Sequence, residues 1–235
     1  MSAVAAPPST QPLRNAARQF VAEYGTKILA ASGFVMLGFV LLHLAGNLLA
    51  LSVSAMFNAY ARSIRELGAP LVGQGTLLLV ARVVLAAALT FHLLAHLLIQ
   101  WQPRSVSATD DALPPWFASL PVSVLQASGG VIALFVGFHI LQLTIGATHP
   151  AFVRDDPYHN LVVALRFWPV AMAYIAAAAA VGVHLLPGFW TGMASLGVIR
   201  PRTQRLVGRI SPVIALVVTV GLAVVPAAVL LGVVA

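Results

Sequence analysis

The chain has 235 residues, 60% of them hydrophobic and only 8% charged, with a formal net charge of +7 and no cysteine. Soluble domains carry about 25% charged residues, so this composition is that of an integral membrane protein. The missing thiols exclude a self-contained iron–sulfur cluster, a thiol nucleophile and a disulfide framework.

In a soluble protein the basic balance would point to nucleic acid. The basic residues are instead dispersed around apolar runs, and no nucleic-acid motif is present, so they are expected to set topology and to face anionic lipid or an acidic partner. The first 26 residues hold Pro7, Pro8, Pro12, Arg14 and Arg18 but no apolar core. They are expected to form a cytoplasmic N-terminal segment rather than a cleavable signal. Residues 27–235 then make up the membrane domain. A span needs roughly 20 apolar residues at about 1.5 Å rise each. Five stretches qualify, at about 27–51, 76–100, 122–147, 161–186 and 209–234, so the expected class is all-α, a bundle of five transmembrane helices. Clusters such as Leu67-Gly-Ala-Pro70 and Leu113-Pro-Pro115 separate them. No internal repeat is expected. The alanine run 176–180 favours close helix contact or leaves room for a flat ligand.

The positive-inside rule orients the bundle. With the N-terminus cytoplasmic, the inner side carries Arg14, Arg18, Lys27, Arg104, Arg200, Arg202, Arg205 and Arg209, and the outer side Arg62, Arg65, Arg82, Arg154 and Arg166. The C-terminus is then expected outside. Of the acids, Asp110 and Asp111 belong to the inner loop, Glu66, Asp155 and Asp156 to outer loops, and Glu23 precedes the first span. No span holds a pair of carboxylates, which argues against a carboxylate-based proton pump.

Four histidines lie deep in four separate spans: His43, His92, His139 and His184. Ionisable residues are costly in hydrocarbon, so four at matching depths point to a bound metal centre. His43 and His139 each precede the outer end by about eight residues, roughly 12 Å. His92 and His184 fall toward the inner half. Two layers result, each with one imidazole from each of two helices, an arrangement suited to two bis-histidine b-type haems. With both axial positions filled, electron transfer is favoured over catalysis at the metal. Zinc suits the layers less, because two imidazoles without an acid or thiol do not complete a tetrahedral site. Ser32, Gly33, Gly38, Ser128, Gly129, Gly130 and Gly137 are expected to leave space for the macrocycles. The plain alternative for any single histidine is a buried hydrogen-bonding or gating residue, and for all four a haem-free transporter that moves protons or ions.

His96 shares a helical face with His92, so either can be the axial ligand. His92 is deeper and better mirrors the outer pair, which leaves His96 for a propionate or a quinone. His149 and His159 are expected to be ordinary surface histidines of the outer loop. Arg82, about six residues inside the second span, either snorkels to the interface or pairs with an outer-haem propionate. Arg62, Arg65 and Arg166 are weaker candidates for that role.

The chain resembles the single-subunit, five-helix dihaem cytochrome b anchor of succinate dehydrogenases and fumarate reductases. The matching segments are Ser32-Gly-Phe-Val-Met-Leu-Gly-Phe-Val-Leu-Leu-His43, Gly46-Asn-Leu48, Phe57-Asn-Ala-Tyr60 and Arg65-Glu-Leu-Gly68, then Asp156-Pro-Tyr158, His184-Leu-Leu-Pro-Gly-Phe-Trp190 and Ser195-Leu-Gly197. They spread over about 30–200, and their order and spacing carry the likeness rather than any one of them. The resemblance implies a distal haem on His43 and His139 and a proximal haem on His92 and His184. It also implies a flavoprotein partner that oxidises succinate to fumarate and an iron–sulfur partner that relays electrons, so that FAD and iron–sulfur clusters sit only on partner subunits. The anchor would pass electrons through two haems b to a quinone, menaquinone by analogy, in the bacterial cytoplasmic membrane, joining the tricarboxylic acid cycle to the respiratory chain. The runner-up is the cytochrome b subunit of another membrane oxidoreductase, such as a formate or hydrogen oxidiser.

Some fumarate-reducing relatives carry a glutamate two residues before the fourth haem ligand, on a proton path. Gly182 occupies that position in this chain, which favours succinate oxidation. Quinone reduction needs hydrogen-bond donors near a haem edge and a proton source. Glu66, Arg82 and Tyr60 are candidates on the outer side, and Trp101, Gln100 and His96 on the inner side, with interfacial anchoring the competing role for Trp101 and Tyr60. The four arginines of 187–208 and its edge can meet an acidic surface of the iron–sulfur partner.

Overall fold

A computed structural model describes residues 11–101 and 122–234, which are all-helical apart from turns and short extended connections. Arg104, Asp110 and Asp111 lie outside the described residues. Five helices are long and apolar enough to cross a membrane: Arg18–Leu51, Thr76–Gln100, Ser123–Ile145, Trp168–Ser195 and Gln204–Leu230. In lipid every backbone polar group must be satisfied within its own segment, which is why apolar runs of this length become helices.

Helix α1 (Gln11–Phe20) passes through a π-turn at Val21–Gly25 into α2 (Thr26–Leu48), so the N-terminal segment expected at 1–26 is helical from Gln11 onward and continuous with the first span. Two short helices follow, α3 (Ser54–Glu66) and α4 (Ala69–Val72), before α5 (Thr76–Gln100). Helix α6 (Val122–His139) widens into a π-turn at Ile140–Ile145 and stops at Gly146, whose φ of 80° suits a residue without Cβ. Helix α7 (Pro157–Arg166) is separate from α8 (Trp168–Ser195), and α9 (Gln204–Leu230) closes the bundle.

The ends of the fourth and fifth spans differ from expectation. The fourth span runs over 168–195, not 161–186. Phe167 is extended (φ −78°, ψ 103°) and Pro169 opens a new helix at its first turn, where a missing N–H costs nothing. Pro187 sits inside that span. A transmembrane helix tolerates such a proline because neighbouring groups re-satisfy the freed backbone. The fifth span begins at Gln204 rather than 209 and ends before Gly232, which has φ +71°.

The main neighbours of α8 are α9, α6 and α2, and those of α2 are α5, α8 and α9. Thus α2 lies between α5 and α8, while α8 lies between α2 and α6. The bundle end that holds Thr26, Gln100, Ser195 and Gln204 is termed inner, following the charge bias, and the opposite end outer. Two apolar clusters pack the bundle. Toward the inner half Leu37, Phe189, Trp190 and Val207 are buried together between α2, α8 and α9. At the outer end Leu161, Leu165, Val225 and Val229 are buried with Ala50 and Phe57, so α3 and α7 cap that side.

The outer cap is tied by polar contacts. The Asn58 amide donates to Asp156 Oδ1 (2.9 Å), and Tyr158 N–H donates to Asn58 Oδ1 (3.0 Å). Asp156 also caps α7 by accepting from His159 N–H (3.0 Å). Arg65 pairs with Asp155 at 2.8 Å across an exposed surface, a contact of small energetic weight.

Candidate haem-binding site

Each span histidine faces one other. His43 and His139 have ring centroids 5.8 Å apart with planes at 85°, and His92 and His184 have centroids 6.2 Å apart with planes at 62°. The partners come from helices that are not each other's main packing neighbours, so the side chains reach across a gap. The layer separation follows from α2: His92 seats beside Ser32, eleven residues before His43, which is about 16 Å along the helix.

Hydrogen bonds assign the tautomers. Ser32 Oγ donates back to Ile28 O (2.7 Å), so toward His92 Nδ1 (3.3 Å) it accepts, and Leu29 O accepts from the same nitrogen at 3.1 Å. Ser128 Oγ likewise donates to Leu125 O (2.9 Å) and stands 3.4 Å from His184 Nδ1. His139 Nδ1 meets Tyr174 OH at 3.1 Å, and that hydroxyl donates to Gln142 Oε1 at 2.9 Å. Three imidazoles therefore use Nδ1–H as donor, which leaves the Nε2 lone pair for an axial bond. A metal-ligating histidine is oriented in this way by a partner on its second nitrogen. His43 makes no hydrogen bond among the described residues; it stacks on Phe39 at 5.2 Å and 20°.

Two imidazoles bound at roughly 2 Å to one metal between them hold their ring centroids about 6 Å apart, whatever the angle between their planes. Both pairs meet that requirement. Among the described residues no group of three or more His, Cys, Asp or Glu converges. Two donors per layer suit a metal that brings its own four equatorial nitrogens, as haem does, better than a bare ion.

The expectation of no repeat is overturned. Ser32, Gly33, Phe39, Val40 and His43 recur at identical spacing as Ser128, Gly129, Phe135, Val136 and His139. The structure gives the repeat a role. In each copy the phenylalanine stacks on the histidine one turn later, Phe39 on His43 and Phe135 on His139 (5.8 Å, 29°). In each copy Ser-Gly receives the histidine of the following span: a Cβ at Gly33 would stand 3.3 Å from His92 Cε1, and one at Gly129 would stand 3.3 Å from His184 Cε1. These residues thus seat the inner histidines. Gly38, Gly130 and Gly137 lie about 140–180° around their helices from His43 and His139, and a Cβ on any of them meets nothing within 4 Å. They do not line the histidine face.

The other candidates are less involved. His96 is bonded to Gln100 on its own helix and has no contact with His184 as close as that of His92. Arg82 is exposed and makes no ion pair or hydrogen bond among the described residues, as are Arg62 and Arg166 exposed. Glu66 is exposed on α3, and Trp101 is 81% exposed at the inner end of α5. Tyr60 turns toward α2, where a Cβ at Gly46 would stand 2.8 Å from its hydroxyl. His149, expected at the surface, is only 6% exposed, because its Nε2 donates to Asn160 O (2.8 Å) and its Nδ1 accepts from Ala151 N–H (3.2 Å). His159 is half-buried. At Gly182 a Cβ would run into Thr219 Oγ1 and come within 3.3 Å of Ala215 O, so α8 and α9 leave no room for a side chain. Sequence reading missed Tyr174 and Gln142; a tyrosine and a glutamine inside apolar spans were the available signal.

Comparison with known proteins gives no match: no family model, curated protein or solved structure pairs with this chain.

Proposed function

We propose that the chain is a dihaem cytochrome b, the membrane anchor and electron-transfer subunit of a succinate:quinone oxidoreductase in the bacterial cytoplasmic membrane. The observation that carries this reading is the pair of facing imidazole couples, each about as far apart as one shared iron requires, with the Nδ1 of three rings committed elsewhere. These imidazoles would hold a haem in each couple, and that group would supply a reversible one-electron store. The chain's own part is to hold His43 and His139 in one layer and His92 and His184 in the other. Dicarboxylate chemistry belongs to a flavoprotein partner, reached through an iron–sulfur subunit docked at the arginines of the inner loop, and the electrons leave to menaquinone or another quinone.

The test is a reduced-minus-oxidised optical spectrum with a haem count per polypeptide. Two b-type haems are expected in the wild type. His43→Ala or His139→Ala is expected to remove one haem and leave the other, and His184→Ala the reverse. His92→Ala against His96→Ala decides the axial ligand, with loss expected only for the former. A colourless protein from iron-replete cells overturns the haem reading. Co-purification with a flavoprotein and succinate oxidation supports the anchor role, whereas co-purified formate- or hydrogen-oxidising subunits would replace it.

A further inference from the structure

The two copies of the repeat are not treated alike. Tyr174 and Arg82 hold equivalent places, each ten residues before the inner histidine of its span, and Gln142 and Gly46 are equivalent too, each three residues after the outer histidine. Only the second copy offers a hydrogen-bonding pair. The π-turn that starts directly after His139 carries Gln142 into the interior, where it is 3% exposed. Gln142 Oε1 takes the phenol proton of Tyr174, so the oxygen's lone pairs face His139 Nδ1. The ring of Tyr174 is held edge-on against Phe135, with centroids 4.8 Å apart at 89°, and against Phe138 at 6.5 Å and 73°. π-bulges inside helices recur at functional sites, and this one adjoins a span histidine.

We propose that Tyr174, locked by Gln142, is the positioning residue of the outer couple: it fixes the tautomer and rotation of His139 and sets the electron density its Nε2 presents. This rests on the haem reading above. An acceptor on Nδ1–H makes the imidazole a stronger donor to the metal, which favours the oxidised state. The inner histidines use a backbone carbonyl and serine hydroxyls instead, so a change at Tyr174 acts on one centre alone.

The experiment is a redox titration followed by optical and low-temperature paramagnetic resonance spectra on the haem-loaded protein as purified. The outer component is identified as the one lost in His139→Ala. Tyr174→Phe is expected to raise the midpoint of the outer component and shift its resonance, or to release that haem, while the inner component stays in place. Gln142→Leu is expected to move the outer component in the same direction by less. Gln142→Glu retains an acceptor for the phenol proton and is expected to stay at or below the wild-type midpoint. If Tyr174→Phe fails to fold, the two Gln142 variants decide. An unmoved outer component with both haems bound, an equal shift of both components, or a rise in Gln142→Glu matching Gln142→Leu overturns the inference while leaving the haem reading intact. A wild type without haem overturns both.

Discussion

Imidazole is costly to place in hydrocarbon, and three of the four span histidines offset part of that cost through Nδ1. The acceptors differ in kind: a carbonyl and a serine for His92, a serine for His184 and a phenol for His139. Serine in a helix can serve because its own proton goes to the preceding turn, as Ser32 does with Ile28 O. Outside the spans, Asp156 shows the same economy. The backbone N–H of His159, and after it the Asn58 amide, hold its carboxyl below the ordinary value of 3.8. A depressed carboxyl contributes stability that is present above its unfolded value and lost as pH falls through the folded one. Between about pH 5 and pH 3 the wild type is therefore expected to lose thermal stability relative to Asp156→Asn, which still accepts from His159. Parallel melting curves of the two proteins in detergent would check this; parallel loss in both would show that the cap is not held by this charge.

At the scale of elements, the contacts that matter are made where a side chain is missing. Gly33 and Gly129 let α5 and α8 bring their histidines close to the neighbouring helix, and Gly182 lets α9 lie directly on α8. Overpacking a filled contact costs about 1–3 kcal/mol, and burying an unpaired charge there adds several more. Gly182→Glu is accordingly expected to lower the yield of folded protein and its melting temperature sharply, with Gly182→Ala milder, as thermal unfolding would show. A tolerated glutamate would mean that α8 and α9 are less tightly apposed. The five spans and their class were readable in the sequence because lipid admits few alternatives to a helix of that length. Their ends were less so. The run expected to end at 186 continues through Pro187 to Ser195, while the break that does occur falls at Phe167, inside the run expected to begin at 161. Hydropathy could not separate α7, which lies across the outer end, from the span that follows it.

Across the whole molecule, α2 and α8 form the centre, and each outer or inner couple spans one central and one peripheral helix. The orientation of this assembly can be tested directly because the chain has no cysteine of its own. With the N-terminus cytoplasmic, an impermeant maleimide is expected to label Ser63→Cys in intact cells and Thr203→Cys only after the membrane is opened. The opposite pattern would invert the bundle and move the basic loop at Arg200, Arg202 and Arg205 away from any cytoplasmic partner.

The amino-acid order alone determined that this is a helical membrane bundle and that four imidazoles stand in two layers, because hydrocarbon enforces helix length and a fixed rise per residue converts position into depth. It also contained the Ser-Gly, Phe, His repeat, which spacing could have revealed without coordinates. Tertiary structure decided which faces meet: that Ser32 and Ser128 hold the inner histidines, that Tyr174 and Gln142 converge on His139, and that His149 is buried. Rotation about each helix axis and the choice of neighbour arise from packing between spans far apart in the chain, and no local pattern encodes them.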